Sequence, residues 1–149
     1  KSGGLWGPVG VNSGAAMGRA AADTSKTYLE DTGTAATDYQ QLWAGYLGQG
    51  GSSILYDLLG LDQIDSAPVH NGCGLLIYDR QGQDVKAGGS GCGCSAAVLC
   101  GPLLRDMHRG KIHRLVFAGT GAMMCPTSVQ QGQPIAGICH AVVIERSGA

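Results

Sequence analysis

Apolar and small residues recur at helical spacing in three segments of the chain. The first segment predicts a helix that Ser13 caps and Gly33 ends, with alanine on both faces. A second helix is predicted over Ser52–Leu59, after a glycine-rich turn. A third is predicted over Cys94–His108, where Pro102 is expected to introduce a kink.

Runs rich in apolar and β-branched residues predict three strands. They cover Asp38–Tyr46, His113–Gly119 and Ile135–Arg146, and the last two can pair as an antiparallel hairpin across the loop at 123–133. Residues 61–91 combine a proline, a short apolar run and a polar turn, so we expect a long excursion with one short strand or helical turn.

The order of these elements predicts an α/β fold. Helices that alternate with strands indicate parallel pairing, and the terminal hairpin adds an antiparallel strand, so we expect a mixed sheet flanked by helices. Ligands usually bind at the carboxyl ends of such strands. Three glycine clusters, at 45–51, 88–95 and 119–128, follow strands or open a helix. We therefore expect all three to converge on one place.

Composition limits the class of protein. A chain of 149 residues, 44% hydrophobic and 14% charged, predicts one folded domain. Ten basic and eleven acidic residues give a net charge of −1, which excludes nucleic acid as an expected partner. Apolar runs reach about half of the ~20 residues that span a bilayer. Residues 1–12, rich in glycine and proline, predict a linker or the truncated start of a domain that continues over 13–149.

Six cysteines lie within apolar stretches rather than in the spaced framework of a small secreted protein. This pattern predicts reduced thiols and an intracellular protein. Cys92 and Cys94 have no histidine or second cysteine pair at zinc-ligand spacing, so we expect no metal site. The favoured role for the cysteines is that of small buried apolar residues.

The glycine cluster GGSGCGCS at 88–95 is the main candidate for ligand binding. Backbone N–H groups before a helix suit a carboxylate or a phosphate. The cluster has neither the lysine of a phosphate-binding P-loop nor dinucleotide-binding spacing. We favour a ligand contact over a structural role for Ser90, and a helix cap over a ligand contact for Ser95.

The acid–base candidates are weak. His70 is the best of four histidines because it lies on the irregular excursion, whereas His108, His113 and His140 suit structural or solvated positions. Cys125 follows a strand and can act as a nucleophile by position. A buried, unreactive cysteine is favoured, because no basic group nearby would lower its pKa.

Six motifs together resemble a known family. They are NSGAAMGRAAADT (12–24), YLEDTG (28–33), the loop at 45–51, NGCGLLIYD (71–79), QDVKAGGSGCGCSAAV (83–98) and GKIHRLVFAGTGAMMCPTSVQQGQPIAGICHAVVIE (110–145). The chain resembles the C-terminal half of the stage V sporulation AD family, within the thiolase-like superfamily. The resemblance implies a βαβαββ half of a five-layer fold with a mixed five-stranded sheet. It also implies an N-terminal thiolase-like half and a homodimer.

The same motifs depart from those of catalytic thiolases. Ser90 stands where thiolases carry a histidine, and Phe117 or a neighbour stands where they carry a cysteine. The loop GYLGQGG at 45–51 replaces the His-Gln-Ala-Asn type of loop in condensing enzymes. The acyl-accepting cysteine of these enzymes belongs to the other half. The resemblance therefore implies no enzymatic activity, no catalytic residue and no cofactor.

The family implies binding of dipicolinic acid, a small aromatic dicarboxylate, during its uptake into the developing spore. The residues at the degenerate catalytic positions, Ser90, Cys92 and Thr120, are the expected ligand contacts, with Ser128 a weaker candidate. Other stage V sporulation membrane proteins are the implied partners, at the inner membrane of the spore or forespore. Two alternatives stay open: an acyl-CoA-dependent transferase that uses Cys125 or Cys92 with His70, and a dimerisation scaffold.

Overall fold

The computed structural model describes residues 13–45, 47–89, 91–123 and 125–148. The elements in chain order are α1 (Ser13–Thr32), a 3₁₀ turn (Ala36–Asp38), β1 (Gln41–Ala44), α2 (Gly48–Leu61), β2 (His70–Gly72), α3 (Cys73–Leu76), α4 (Cys94–Val98), a π-helical segment (Leu99–Leu103), α5 (Leu104–His108), β3 (Arg114–Met123), α6 (Pro126–Gln130) and β4 (Ala136–Glu145). The fold is α/β, as the sequence predicts.

One open mixed sheet of four strands, in the order β2-β1-β3-β4, forms the middle layer. β1 pairs in parallel with β2 and with β3, while β3 and β4 pair antiparallel along ten residues, from Arg114 opposite Glu145 to Met123 opposite Ala136. The predicted hairpin is therefore confirmed. A fifth strand is not present among the described residues.

Helices cover both faces of the sheet. On one face α1 and α2 bury Ala44, Ala118 and Cys139, which lie on three neighbouring strands. On the other face α4, the π-helical segment and α5 cover Trp43 and Phe117. The core thus consists of two apolar layers separated by the sheet, as the alternation of side chains along a strand requires.

The first helix ends as predicted. α1 begins at Ser13 and stops at Thr32, where Gly33 takes the left-handed φ of +63° that ends many helices. The predicted kink in the third helix is a π-helical segment that contains Pro102. Proline supplies no N–H to the helix, and the wider π turn accommodates it.

Three elements have bounds that differ from the prediction. β1 is shorter than Asp38–Tyr46, because Asp38 belongs to a 3₁₀ turn in which its carboxylate accepts the N–H of Ala35 at 2.7 Å. α2 begins at Gly48, inside the predicted glycine-rich turn. β3 extends to Met123, four residues past the predicted end.

Two further elements differ from the prediction. The excursion at 61–91 contributes both a strand, β2, and a helical turn, α3. The loop after β3 contains α6. The linker predicted at 1–12 lies outside the described residues.

Candidate functional site

Gly45, directly after β1, lies where the three glycine-rich segments meet. Its N–H donates to Ala118 O at 2.7 Å, and its carbonyl accepts from Thr120 Oγ1 at 3.0 Å. A Cβ placed on Gly45 would lie 2.6 Å from Ser95 Oγ and 3.0 Å from Thr120 N. Only glycine fits this close approach of two strands and a helix. The predicted convergence is confirmed.

Ser95 is better placed than the sequence indicates. The favoured role as a helix cap is wrong, because α4 begins after Gly93 and has no side-chain cap. Its Oγ is buried and makes no hydrogen bond with the described residues. The hydroxyl points at the Gly45 backbone beside Thr120. A buried hydroxyl without a partner at the end of two strands is a signal that spacing along the sequence does not reveal.

Backbone contacts hold the second glycine-rich segment in place. Gly89 N donates to Gly74 O at 2.7 Å, and Gln49 N, in the first turn of α2, donates to Ala87 O at 2.9 Å. A Cβ on Gly48 would lie 2.9 Å from Ala87 O, and the backbone of Gly74 is in contact with Gly89 O. The glycines therefore let α2, α3 and this segment pack backbone to backbone.

A cleft of about 500 Å³ opens beside this segment. Its lining consists of Ile77, Tyr78, Val85, Cys94 and Ala97 together with the four glycines Gly88, Gly89, Gly91 and Gly93. The Tyr78 ring packs on Gly89, whose Cβ would lie 3.2 Å from Tyr78 Cε2. Among its described lining residues there is no charged side chain. The cleft thus offers apolar surface and backbone dipoles.

The four predicted ligand contacts occupy different places. Ser90 lies outside the described residues. Cys92 is exposed in the turn before α4, and Ser128 is half-buried in α6. Thr120 is only 7% exposed, and its hydroxyl donates a hydrogen bond to Gly45 O. Among the described residues, no hydrogen bond joins Cys92 or Ser128 to Thr120, and none of the three lines the cleft.

The cysteines differ in how far they are exposed to solvent. All six are free thiols; Cys73, Cys94 and Cys139 are buried, as predicted for small apolar residues. Burial raises the pKa of Cys73 to about 12 and that of Cys139 to about 11, so these thiols stay protonated. Cys92 and Cys100 are exposed, which corrects the prediction for them.

Cys125 differs from the other cysteines. It is half-buried and directly precedes α6. The backbone N–H of Ser128 lowers the pKa of the Cys125 thiol, helped by the Ser128 hydroxyl and the N–H of Thr127. The sequence does not reveal this effect, because the donors are backbone and hydroxyl groups of the next helical turn rather than a basic side chain.

His70 does not occupy the irregular position predicted for it. It lies in β2, only 6% exposed, and its Nδ1 is 2.9 Å from Tyr56 OH. Burial lowers the pKa of His70 to about 4, so the ring is neutral at pH 7. Within the part of the chain that the structure describes, no hydrogen bond joins His70 to a cysteine. His108 and His140 are exposed, and His113 is half-buried.

Comparison with known proteins decides the family. The sequence profile of the stage V sporulation protein AD family matches residues 8–145. The chain is 43% identical over 135 residues to stage V sporulation protein AD of Bacillus subtilis (strain 168), an alignment that covers 91% of this chain. The chain belongs to the stage V sporulation protein AD family. It spans about 40% of the length of that relative.

Membership of this family supports a sporulation-related function and is consistent with a forespore location. Within the described ranges, no helix is long and apolar enough to cross a membrane. The same residues contain no group of three or more His, Cys, Asp or Glu side chains that could hold a metal ion.

Proposed function

We propose that this chain binds dipicolinic acid and takes part in its uptake into the developing spore without catalysing a reaction. The observation that carries the proposal is the meeting of three glycine-rich segments at Gly45. Glycine-rich backbone brings N–H donors close to a small anion, and a dicarboxylate needs two such sets of donors. The sporulation family supplies the biological setting.

Free backbone donors support the binding of a carboxylate. Among the described residues, the N–H groups of Gly91 and Cys92 donate to no carbonyl, while the next residues already belong to the hydrogen bonding of α4. Hydrogen bonds to a charged acceptor are roughly twice as strong as neutral ones. We propose that Ser90 and Cys92 contact the ligand, that Thr120 fixes Gly45, and that Ser128 has a lesser part.

The position of His70 supports a role without catalysis. General-base chemistry needs an imidazole within reach of the group that it deprotonates. His70 is buried and its Nδ1 already has Tyr56 as a partner. In the thiolase-like frame that we propose, Ser90 stands at the position of the thiolase histidine. We propose that the pocket of a thiolase-like ancestor has become a binding site.

The uncovered part of the sheet supports the proposed N-terminal half. Met123, Ile138 and Val142, on the face that α4 and α5 cover only in part, are 73%, 52% and 54% exposed. Among the described residues, nothing pairs with the outer edge of the ten-residue strand β4. Long open edges and apolar patches of this kind are usually covered in native proteins. We propose that a fifth strand completes the sheet and that a thiolase-like half, in a homodimer, covers the patch.

The lowered pKa of Cys125 favours one alternative, an acyl-CoA-dependent transferase. Alkylation by iodoacetamide as a function of pH tests its first requirement, a reactive thiolate. If Cys125 acts as a nucleophile, an acyl-CoA leaves an acyl group on this residue, detectable by mass spectrometry, and a Cys125→Ala variant stays unmodified. If no acyl group appears on Cys125 of the wild-type protein, a transferase that uses this residue is excluded.

Equilibrium dialysis of dipicolinate against the intact protein tests the proposed site. Ser90→Ala is expected to weaken binding at least tenfold, the loss typical of one charge-assisted hydrogen bond. Ser53→Ala is the matched control, because Ser53 is exposed on α2 and donates to Gln49 O at 3.1 Å. Equal affinities of the two variants for dipicolinate would show that Ser90 does not contact the ligand.

A further inference from the structure

Three buried polar atoms without a hydrogen-bond partner lie where α2 packs on β2. They are Ser52 Oγ, His70 Nε2 and Ser66 Oγ. The three residues are 1%, 6% and 2% exposed, so bulk solvent does not reach them. None of these atoms takes part in the candidate site at Gly45.

Hydrogen bonds join His70 to Tyr56 and Ser66, and Ser52 packs on the same strand as His70. Tyr56 OH is 2.9 Å from His70 Nδ1, and His70 N donates to Ser66 O at 2.8 Å. Ser52 lies one turn before Tyr56 on the same face of α2. Its Oγ would be 3.3 Å from a Cβ on Gly72, which shares a face of β2 with His70.

Unpaired atoms of this kind are costly. Each buried donor or acceptor left without a partner lowers the folding equilibrium constant roughly tenfold or more. Three in one interface would remove much of the stability of an ordinary domain. Native proteins satisfy such groups with ordered water where the site is polar and has room.

A second cleft borders this cluster at Tyr56 and Ser66. It has a volume of about 330 Å³, and its lining includes Tyr56 and Ser66 together with the exposed Asp65. We propose that ordered water enters here and bridges His70 Nε2 to the hydroxyls of Ser52 and Ser66. A water molecule can donate and accept at once, so it matches a ring nitrogen flanked by two hydroxyls.

This water site would support the elements that carry the glycine-rich segment. The first turn of α2 holds Ala87 through Gln49 N, and Gly74, two residues after β2 ends, holds Gly89. A water bridge between α2 and β2 would fix the distance between Gln49 and Gly74, the two residues that hold the glycine-rich segment. The inference does not depend on dipicolinate binding.

Native-state hydrogen exchange on the intact protein tests the proposal by whether Ser52→Ala lowers or raises amide protection. If Ser52 Oγ binds water, Ser52→Ala removes a hydrogen bond, and the amides of α2 and β2 lose protection about tenfold. If the hydroxyl is unpaired, its removal relieves a buried polar group and protection stays equal or rises. Ser53→Ala, on the exposed side of the same helix, is expected to leave protection within about twofold.

A crystal structure of the intact protein at a resolution that shows ordered water gives the second test. Density for water within about 3.2 Å of His70 Nε2 is the expected result. A protein side chain bonded to Nε2, or Ser52 Oγ bonded to the carbonyl one turn earlier in α2, would overturn the proposal.

Discussion

Gly45 and His70 show how single residues set the properties of this chain. Gly45 lets Ser95 and Thr120 approach the end of β1 so closely that no side chain fits. His70 is neutral because burial lowers its pKa to about 4, and Tyr56 orients its ring. Gly45 therefore shapes the candidate site, and His70 makes the stability of the protein depend on pH.

Gly45→Ala is expected to destabilise the protein by about 1–3 kcal/mol, because its Cβ would lie 3.0 Å from the backbone N of Thr120, which cannot rotate away as the nearby Ser95 hydroxyl can. Gly50→Ala is the matched control. No atom lies within 4 Å of a Cβ on Gly50, which is in α2, so alanine there is neutral or stabilising by up to about 1 kcal/mol. Chemical denaturation of both variants checks this; equal effects would show that Gly45 is not a close contact.

His70 is expected to make the protein less stable as pH falls from 6.5 to 4. Because the folded-state pKa is lowered, the unfolded chain binds a proton first, so stability present above pH 6.5 is lost towards pH 4. The shift corresponds to about 3 kcal/mol. Denaturation midpoints of wild type and His70→Phe across this range measure it. A difference between the two proteins that does not change with pH would contradict the burial of His70.

Among the elements, the packing of α1 on α2 shows what sequence periodicity can and cannot predict. The three long periodic segments predict the helices, and the β-branched runs predict the final hairpin. The sequence does not predict the first turn of α2, because glycine disfavours helices; its contacts with Ala87 O and with Gly14 O on α1 form only in the folded chain. β2 is missed as a member of the sheet because three residues carry no periodic signal.

The sequence predicts which segments form the candidate site, but not the orientation or acidity of its side chains. The glycine clusters and the strand ends predict that 45–51, 88–95 and 119–128 meet. The orientation of Ser95 Oγ and the lowered pKa of Cys125 depend on contacts that only the folded chain creates. Propensity and spacing describe only neighbours in the sequence. The orientation of Ser95 Oγ arises where distant segments meet, and the lowered pKa of Cys125 arises from α6, a helix that the sequence does not predict.

Gly18→Ala tests the contact between the two helices. Alanine has the higher helix propensity, by about 1 kcal/mol, yet its Cβ on Gly18 would lie 2.6 Å from Gly51 O. We expect net destabilisation of about 1–3 kcal/mol, since backbone cannot move aside as a side chain can. Gly60→Ala, with open space around its Cβ, should not destabilise. Thermal unfolding that ranks Gly18→Ala above wild type would show that the helices are not in such close contact.

In the whole molecule, the apolar face of β3 and β4 is the feature that the described residues leave uncovered. Val142 lies opposite Phe117, which α4 and α5 bury, but Val142 is 54% exposed. The B. subtilis relative is more than twice as long as this chain. A second half that packs here would both bury the patch and border the junction at Gly45.

Val142→Glu in the intact protein is expected to cost at least about 2 kcal/mol of stability, because a carboxylate would be buried without a partner. Leu61→Glu is the control, since Leu61 is 81% exposed at the end of α2, away from this face. Its effect should stay within about 0.5 kcal/mol. If both variants unfold at the same denaturant concentration, nothing covers the face.

Titration calorimetry of dipicolinic acid into the intact protein is the decisive test of ligand binding. We expect saturable binding that Ser90→Ala weakens at least tenfold and that the control Ser53→Ala leaves unchanged. We also expect weaker or no binding by the 149-residue chain alone, because Ile138 on the uncovered face pairs with Gly121, the residue after Thr120. Absence of binding by the intact protein would contradict the ligand proposal and leave the scaffold as the better account.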